Sequence, residues 1–182
     1  MRRSILLTLS CFFLFAITAA ASADADNEPQ YVGNFAAMGK DGKYIALERV
    51  TAEVVTRVRA LGFGGGETHV SVSGAASPIR FKVGEPIEFV VKVASQDKDP
   101  LGFVQFYRLK VSHRNRILPA ANVGAFGLKA TSQVHSSDVT YSATKLGTDF
   151  FVITPLTPLQ PGEYALSTVE DGQVGFCFGV DE

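Results

Sequence analysis

From Val50 to the end, the chain is a succession of short extended runs cut by Gly, Pro, Asp and Asn, and this punctuation limits its fold more than any other feature. Val50, Ala52, Val54, Thr56 and Val58 fall on one side of an extended segment, and Thr51, Glu53, Val55, Arg57 and Arg59 fall on the other. That period of two belongs to a half-buried strand. Gly39-Lys40-Asp41-Gly42 supplies turn chemistry between 31–38 and 43–59, which reads as a hairpin. Further strands are expected at 79–83, 87–94, 102–117, 139–143, 150–154, 164–169 and 173–180, with turns at 84–86, 97–100, 147–149, 158–162 and 170–172. No apolar pattern at helical spacing lasts beyond two turns, so any helix is short. The expected fold is all-β, an immunoglobulin-like β-sandwich, with a closed β-barrel as the alternative.

In the run 87–94, Phe89, Val91 and Val93 share a face, which is assigned to the core, with Glu88, Val90, Lys92 and Ala94 opposite. Two stretches read as loops. Gly62-Phe63-Gly64-Gly65-Gly66 lacks the Gly-Lys-Ser/Thr ending and following helix of a phosphate-binding loop, and it leads instead into the alternating Val70-Ser71-Val72-Ser73. The weakly patterned 119–137, rich in Ala, Gly, Ser and Thr, is the longest.

The N-terminus has a different character. Met1-Arg2-Arg3 is basic, Ile5 to Ala21 is an apolar run, and Ala21-Ser22-Ala23 precedes the acidic Asp24-Ala25-Asp26. This is the pattern of a secretory signal peptide over 1–23, an uncleaved membrane anchor being the alternative. A polar lead-in over 24–30, expected to be disordered, and a single domain over 31–182 would follow. Two of the 17 basic residues and none of the 18 acidic ones precede residue 24, leaving a net charge of about −3. So mild a balance argues against nucleic acid as a partner. The expected location is periplasmic or extracellular, with no transmembrane segment after residue 23. Cys11 lies in the apolar run, so Cys177 would be the one thiol left and no internal disulfide could form.

Four cations stand out at period two: Arg108, Lys110, Arg114 and Arg116, opposite Leu109, Val111 and Ile117. On one unbroken strand they would make a basic ladder about 20 to 27 Å long. Such a ladder suits an anionic polymer or an acidic envelope protein, and a solvated strand face that deters edge pairing is the plain alternative. In Val174-Gly175-Phe176-Cys177-Phe178-Gly179-Val180 the large apolar residues share one face, and Gly175, Cys177 and Gly179 share the other. Glycines there admit a close approach by a crossing segment, a partner backbone or a reactive small molecule, with a buried, inert thiol as the plainer reading.

Metal chemistry finds no support, because His69, His113 and His135 lie in three separate segments without ligand spacing. His135-Ser136-Ser137-Asp138 holds the residue types of a hydrolase triad, but triad members seldom adjoin in sequence and no Gly-x-Ser-x-Gly elbow occurs.

Leu159-Gln160-Pro161-Gly162-Glu163-Tyr164-Ala165-Leu166, followed by Phe176-Cys177-Phe178-Gly179-Val180-Asp181, resembles the closing strand pair of a family of exported bacterial proteins of unknown function. The resemblance covers about the last quarter of the chain. It implies a bacterial envelope protein and supplies no activity, cofactor or site residues. The expected role is a non-catalytic binding or assembly module of the cell envelope, without a cofactor or metal. The alternatives are a secreted hydrolase assembled from His69, His113, His135, Asp138 or Cys177, and a purely structural envelope protein.

Overall fold

A computed structural model describes residues 27–58, 66–118, 139–170 and 173–182, and within them the protein is nearly all β. The strands are β1 (Phe35–Met38), β2 (Tyr44–Ala46), β3 (Glu48–Thr51), β4 (Glu53–Val58), β5 (Gly66–Ser73), β6 (Arg80–Lys82), β7 (Glu88–Lys92), β8 (Val104–Ser112), β9 (Asn115–Leu118), β10 (Tyr141–Leu146), β11 (Phe150–Pro155), β12 (Gly162–Thr168) and β13 (Val174–Asp181). A one-turn helix, α1 (Pro100–Phe103), precedes β8, its first turn capped by Asp99 accepting from the Leu101 amide.

One sheet has the order β10-β11-β7-β1-β2, and the other runs β3-β13-β12-β8-β9-β5-β4 with β6 parallel to β13. The β1–β2 hairpin turns where the sequence places it: the Gly39 amide donates to the Lys43 carbonyl, and Gly42 adopts φ +76°. The C-terminal pair is likewise an antiparallel hairpin, with Leu166 opposite Phe176.

The segment expected as one long strand over 43–59 is cut twice. Leu47, buried, is where the chain leaves the first sheet and enters the second. Ala52 separates β3 from β4, which lie at opposite ends of the second sheet's path, β3 on β13 and β4 on β5. A continuous stretch of chain thus bridges the two ends, and the sheet curls into a nearly closed barrel. The sandwich and barrel readings meet here, because one wall of the barrel is also the second layer of the sandwich.

Two cores follow from the alternation. Between the sheets, Phe89 is wholly buried and its ring meets those of Phe106 (5.5 Å) and Phe178 (4.7 Å), with Phe35, Val91, Phe151, Ile153, Leu166 and Phe176 around it. Val90 is buried too, on the other face of β7 beside Ala36. Inside the barrel lie Val70, Val72, Tyr107, Leu109, Leu118, Ala165 and Cys177, with Val50 and Ala52 against them. Register makes the second core: Glu48, Cys177, Ala165 and Tyr107 form one row across four neighbouring strands.

The strand expected over 102–117 is instead α1 followed by a hairpin of β8 and β9, turning at His113 and Arg114. His113 takes φ +56°, a left-handed conformation in which histidine is one of the more tolerated non-glycine residues. Residues 1–26, 59–65 and 119–138, which take in the stretch expected as a loop over 119–137 together with His135 and Asp138, lie outside the described residues. Of the lead-in, residues 27–30 are described: Pro29 is buried, and the Gln30 carbonyl accepts from Lys92 Nζ at 3.1 Å. No helix among the described residues is long and apolar enough to cross a membrane.

Because Phe89 of the first sheet packs against two rings of the second, Phe106 and Phe178, Phe89→Ala should open a cavity between the layers. Denaturant unfolding is expected to show a loss of about 3 to 5 kcal/mol.

Candidate functional site

Paired residues share a face, so the β8–β9 turn decides where each of the four cations points. Val111 pairs with Arg116, and Ser112 with Asn115. An even-numbered residue on β9 therefore faces the same side as the odd-numbered residues of β8, and Arg116 turns inward on the face of Tyr107 and Leu109 while Arg108 and Lys110 face the other way. Arg114 sits exposed in the turn. The basic ladder does not exist as one row.

Arg116 is completely buried at one end of the barrel. Its guanidinium binds Glu48 through two parallel bonds, Nη1 to Oε2 at 2.6 Å and Nη2 to Oε1 at 2.9 Å. Nε donates to the Gly74 carbonyl and Nη2 to the Ser73 carbonyl, each at 3.0 Å. Glu163 Oε2 lies 3.8 Å from Nη1 and accepts from the Ser77 amide at 2.9 Å. The other oxygen of Glu163 pairs with Arg80, which also binds Asp181 through Nη2 and, at 3.1 Å, through Nε. The cluster spans β3, β9, β12, β6 and β13 and the segment 73–77 that crosses the barrel end.

That crossing explains Gly179, the glycine two residues after Cys177. The Arg80 guanidinium lies directly over Gly179, where any Cβ would collide with it, and Ser77 Oγ donates to the Cys177 carbonyl at 3.2 Å. The close approach is made by the chain's own segment. Cys177 is wholly buried, and desolvation pushes its thiol up to about 12 although Arg116 opposes the shift. Such a thiol is neither a nucleophile at neutral pH nor accessible for an intermolecular disulfide.

Arg108 and Lys110 have a different setting. They continue the face of β8 that buries Val104 and Phe106 between the sheets, but emerge past the smaller sheet into a groove of about 910 Å³. Its walls are Val139, Thr140 and residues 157–160, with Tyr164 at its inner edge. Register places Phe178, Tyr164 and Arg108 in one row. Tyr164 stacks on Phe178 at 5.4 Å and its hydroxyl donates to the Gln160 carbonyl at 2.7 Å. Burial raises the Tyr164 phenol above its ordinary value, with Arg108 and that hydrogen bond working against the rise. The Arg108 guanidinium is pinned, Nη2 donating to the Pro161 carbonyl at 2.7 Å and Nε lying over Gly162, where a Cβ would come within 3.1 Å. Pinning removes rotamer freedom that an exposed arginine otherwise loses on binding.

Of the residues considered for hydrolysis, His69 is buried, His113 is exposed with Nδ1 3.4 Å from Ser112 Oγ, and neither is hydrogen-bonded to Cys177. Among the described residues no group of three or more His, Cys, Asp or Glu could hold a metal ion. Comparison of the chain with protein-family models, curated proteins and solved structures returns no match.

Two outcomes separate the buried cations from the exposed ones. Arg116→Leu leaves Glu48 and Glu163 without their shared guanidinium and should cost about 3 to 5 kcal/mol in denaturant unfolding, whereas Arg114→Ala should stay within about 0.5 kcal/mol. The Asp181 carboxyl is held below its ordinary value by its hydrogen bonds to Arg80. A depressed carboxyl stabilises the fold above its unfolded-state pKa, and that contribution is lost as pH falls through the folded value. The Tm difference between the native protein and Asp181→Asn should therefore be largest near neutral pH and vanish in acid.

Proposed function

We propose that this protein is an exported, non-catalytic binding or assembly module of the bacterial cell envelope, and that it holds an anionic partner in the groove edged by Arg108 and Lys110. The observation that carries the reading is the pinned guanidinium of Arg108, oriented by Pro161 and Gly162 at the mouth of a groove that the smaller sheet leaves open. An arginine held in this way presents its remaining N–H groups in a fixed fork, the geometry that carboxylates and phosphates accept. Lys110, two residues along the same face, adds a second charge about 7 Å away along the strand. Arg114 extends the positive field from the adjoining turn, and Arg116 is excluded because it belongs to the buried cluster. Export rests on the basic, apolar and small-residue pattern of 1–23, and the envelope assignment rests on the C-terminal resemblance.

The high thiol pKa of Cys177 and its burial weigh against a cysteine hydrolase. The experiment is co-purification from native envelopes after mild crosslinking, with an Arg108→Glu/Lys110→Glu variant alongside. Both side chains are exposed, so the variant should fold, as near-ultraviolet circular dichroism would verify. A stoichiometric partner held by the native chain and lost by the folded variant is expected, and a partner retained equally by both would remove the groove from the reading.

A further inference from the structure

A second cleft lies at another place on the molecule, against the ends of β1, β7, α1 and β12, and does not rest on the groove reading. Its volume is about 170 Å³, and it is lined mainly by apolar groups: Val32, Val93, Ala94 and Phe103. Phe103 is held in place against Phe151, ring centroids 6.3 Å apart, and the Val169 amide donates to the Phe103 carbonyl at 2.9 Å. Gly33 is fixed by its amide, which donates a hydrogen bond to the Lys92 carbonyl at 2.8 Å, so the walls are tied to β7 and β12. A cavity of about 150 Å³ accommodates a benzene molecule, which makes this cleft the size of one aromatic or branched aliphatic side chain.

Charge occurs at the rim, and it is of both signs. Lys98 and Glu170 both line the cleft and pair with each other, each about two-thirds exposed. An exposed pair of this kind contributes little to stability, so it can be exchanged for other partners at little cost. Lys92 also lines the cleft, but its Nζ donates to the Gln30 carbonyl at 3.1 Å. The exchangeable charges are therefore the Lys98 ammonium and the Glu170 carboxylate, which beside an apolar cleft are complementary to a zwitterion with an apolar body. We infer that the cleft binds a free amino acid with a branched aliphatic or aromatic side chain. The ligand's carboxylate meets Lys98, its ammonium meets Glu170, and its side chain rests on Phe103. This arrangement would let the module respond to a small metabolite at a site separate from its groove.

The test is calorimetric titration of the protein recovered from cells expressing the full 182-residue chain, using L-leucine and L-phenylalanine as probes. Saturable one-to-one binding is expected. 4-Methylpentanoate, which lacks the ammonium, and isopentylamine, which lacks the carboxylate, should each bind at least tenfold more weakly, and glycine should not bind. Lys98→Gln and Glu170→Gln should each weaken L-leucine by a similar factor. Ala94→Leu, at an exposed position where the larger side chain enters the cleft, should abolish binding with the melting temperature unchanged. Failure of both amino acids to bind at millimolar concentration would overturn the inference. So would binding that survives Ala94→Leu, or equal binding of L-leucine and L-leucinamide, since the amide keeps the side chain and ammonium but not the carboxylate.

Discussion

The Arg116 guanidinium depends on the whole second sheet, and the sheet depends on it in return. A charge taken fully out of water is strongly unfavourable unless it is paired and its donors are used. Here the two carboxylates and two carbonyls that satisfy Arg116 come from β3, from β12 and from the segment just after β5, so these parts must all be in place at once. Chain continuity through Ala52, which joins β3 to β4 across the two ends of the sheet's path, is a second constraint on closure. The ion cluster and that bridging stretch together set the register with which the sheet closes on itself. Glu163 carries the coupling further, sharing its carboxylate between Arg116, Arg80 and the Ser77 amide.

Once one arginine is committed to the interior, the remaining cations acquire separate roles. Arg108 and Lys110 stay outside because the smaller sheet ends before it reaches them, and the aromatic row from Phe178 through Tyr164 leads from the packed core directly to the Arg108 side chain. The groove is thus the exposed continuation of the core face of β8. Its rigidity derives from the core, and its charge comes from the two residues that the core does not cover.

Much of the architecture was legible in the sequence because strands declare themselves through alternation. Phe89, Val91 and Val93 read as one core face, and Phe176 and Phe178 as another, because each run is long enough to show its period. Gly179 beside Cys177 signalled a close approach, though Arg80 as the crossing group could not be named without β6 lying parallel to β13. The basic ladder was misread for a specific reason. Ser112-His113-Arg114-Asn115 contains neither Gly nor Pro, its lone Asn115 is a weak turn signal inside a run of charges, and histidine rather than glycine takes the left-handed position. A two-residue turn then reverses which residues face inward, and Arg116 changes side without any break in the pattern of charges. Barrel closure was illegible for a related reason: Leu47 and Ala52 are ordinary apolar residues whose role as switch points depends on partners far along the chain.

If Arg108 and Lys110 form the proposed recognition surface and Arg116 serves the fold, the two kinds of cation should respond differently to an anionic partner. Titration of isotope-labelled protein with a soluble polyanion, followed by amide and side-chain nuclear magnetic resonance, tests this most directly. Saturable shifts are expected at the Arg108 Nε–H, at Lys110 and along residues 157–162, with the signals of Arg116, Glu48 and Glu163 unmoved. Shifts centred on another face, or none at Arg108 while the polymer binds, would contradict the proposal.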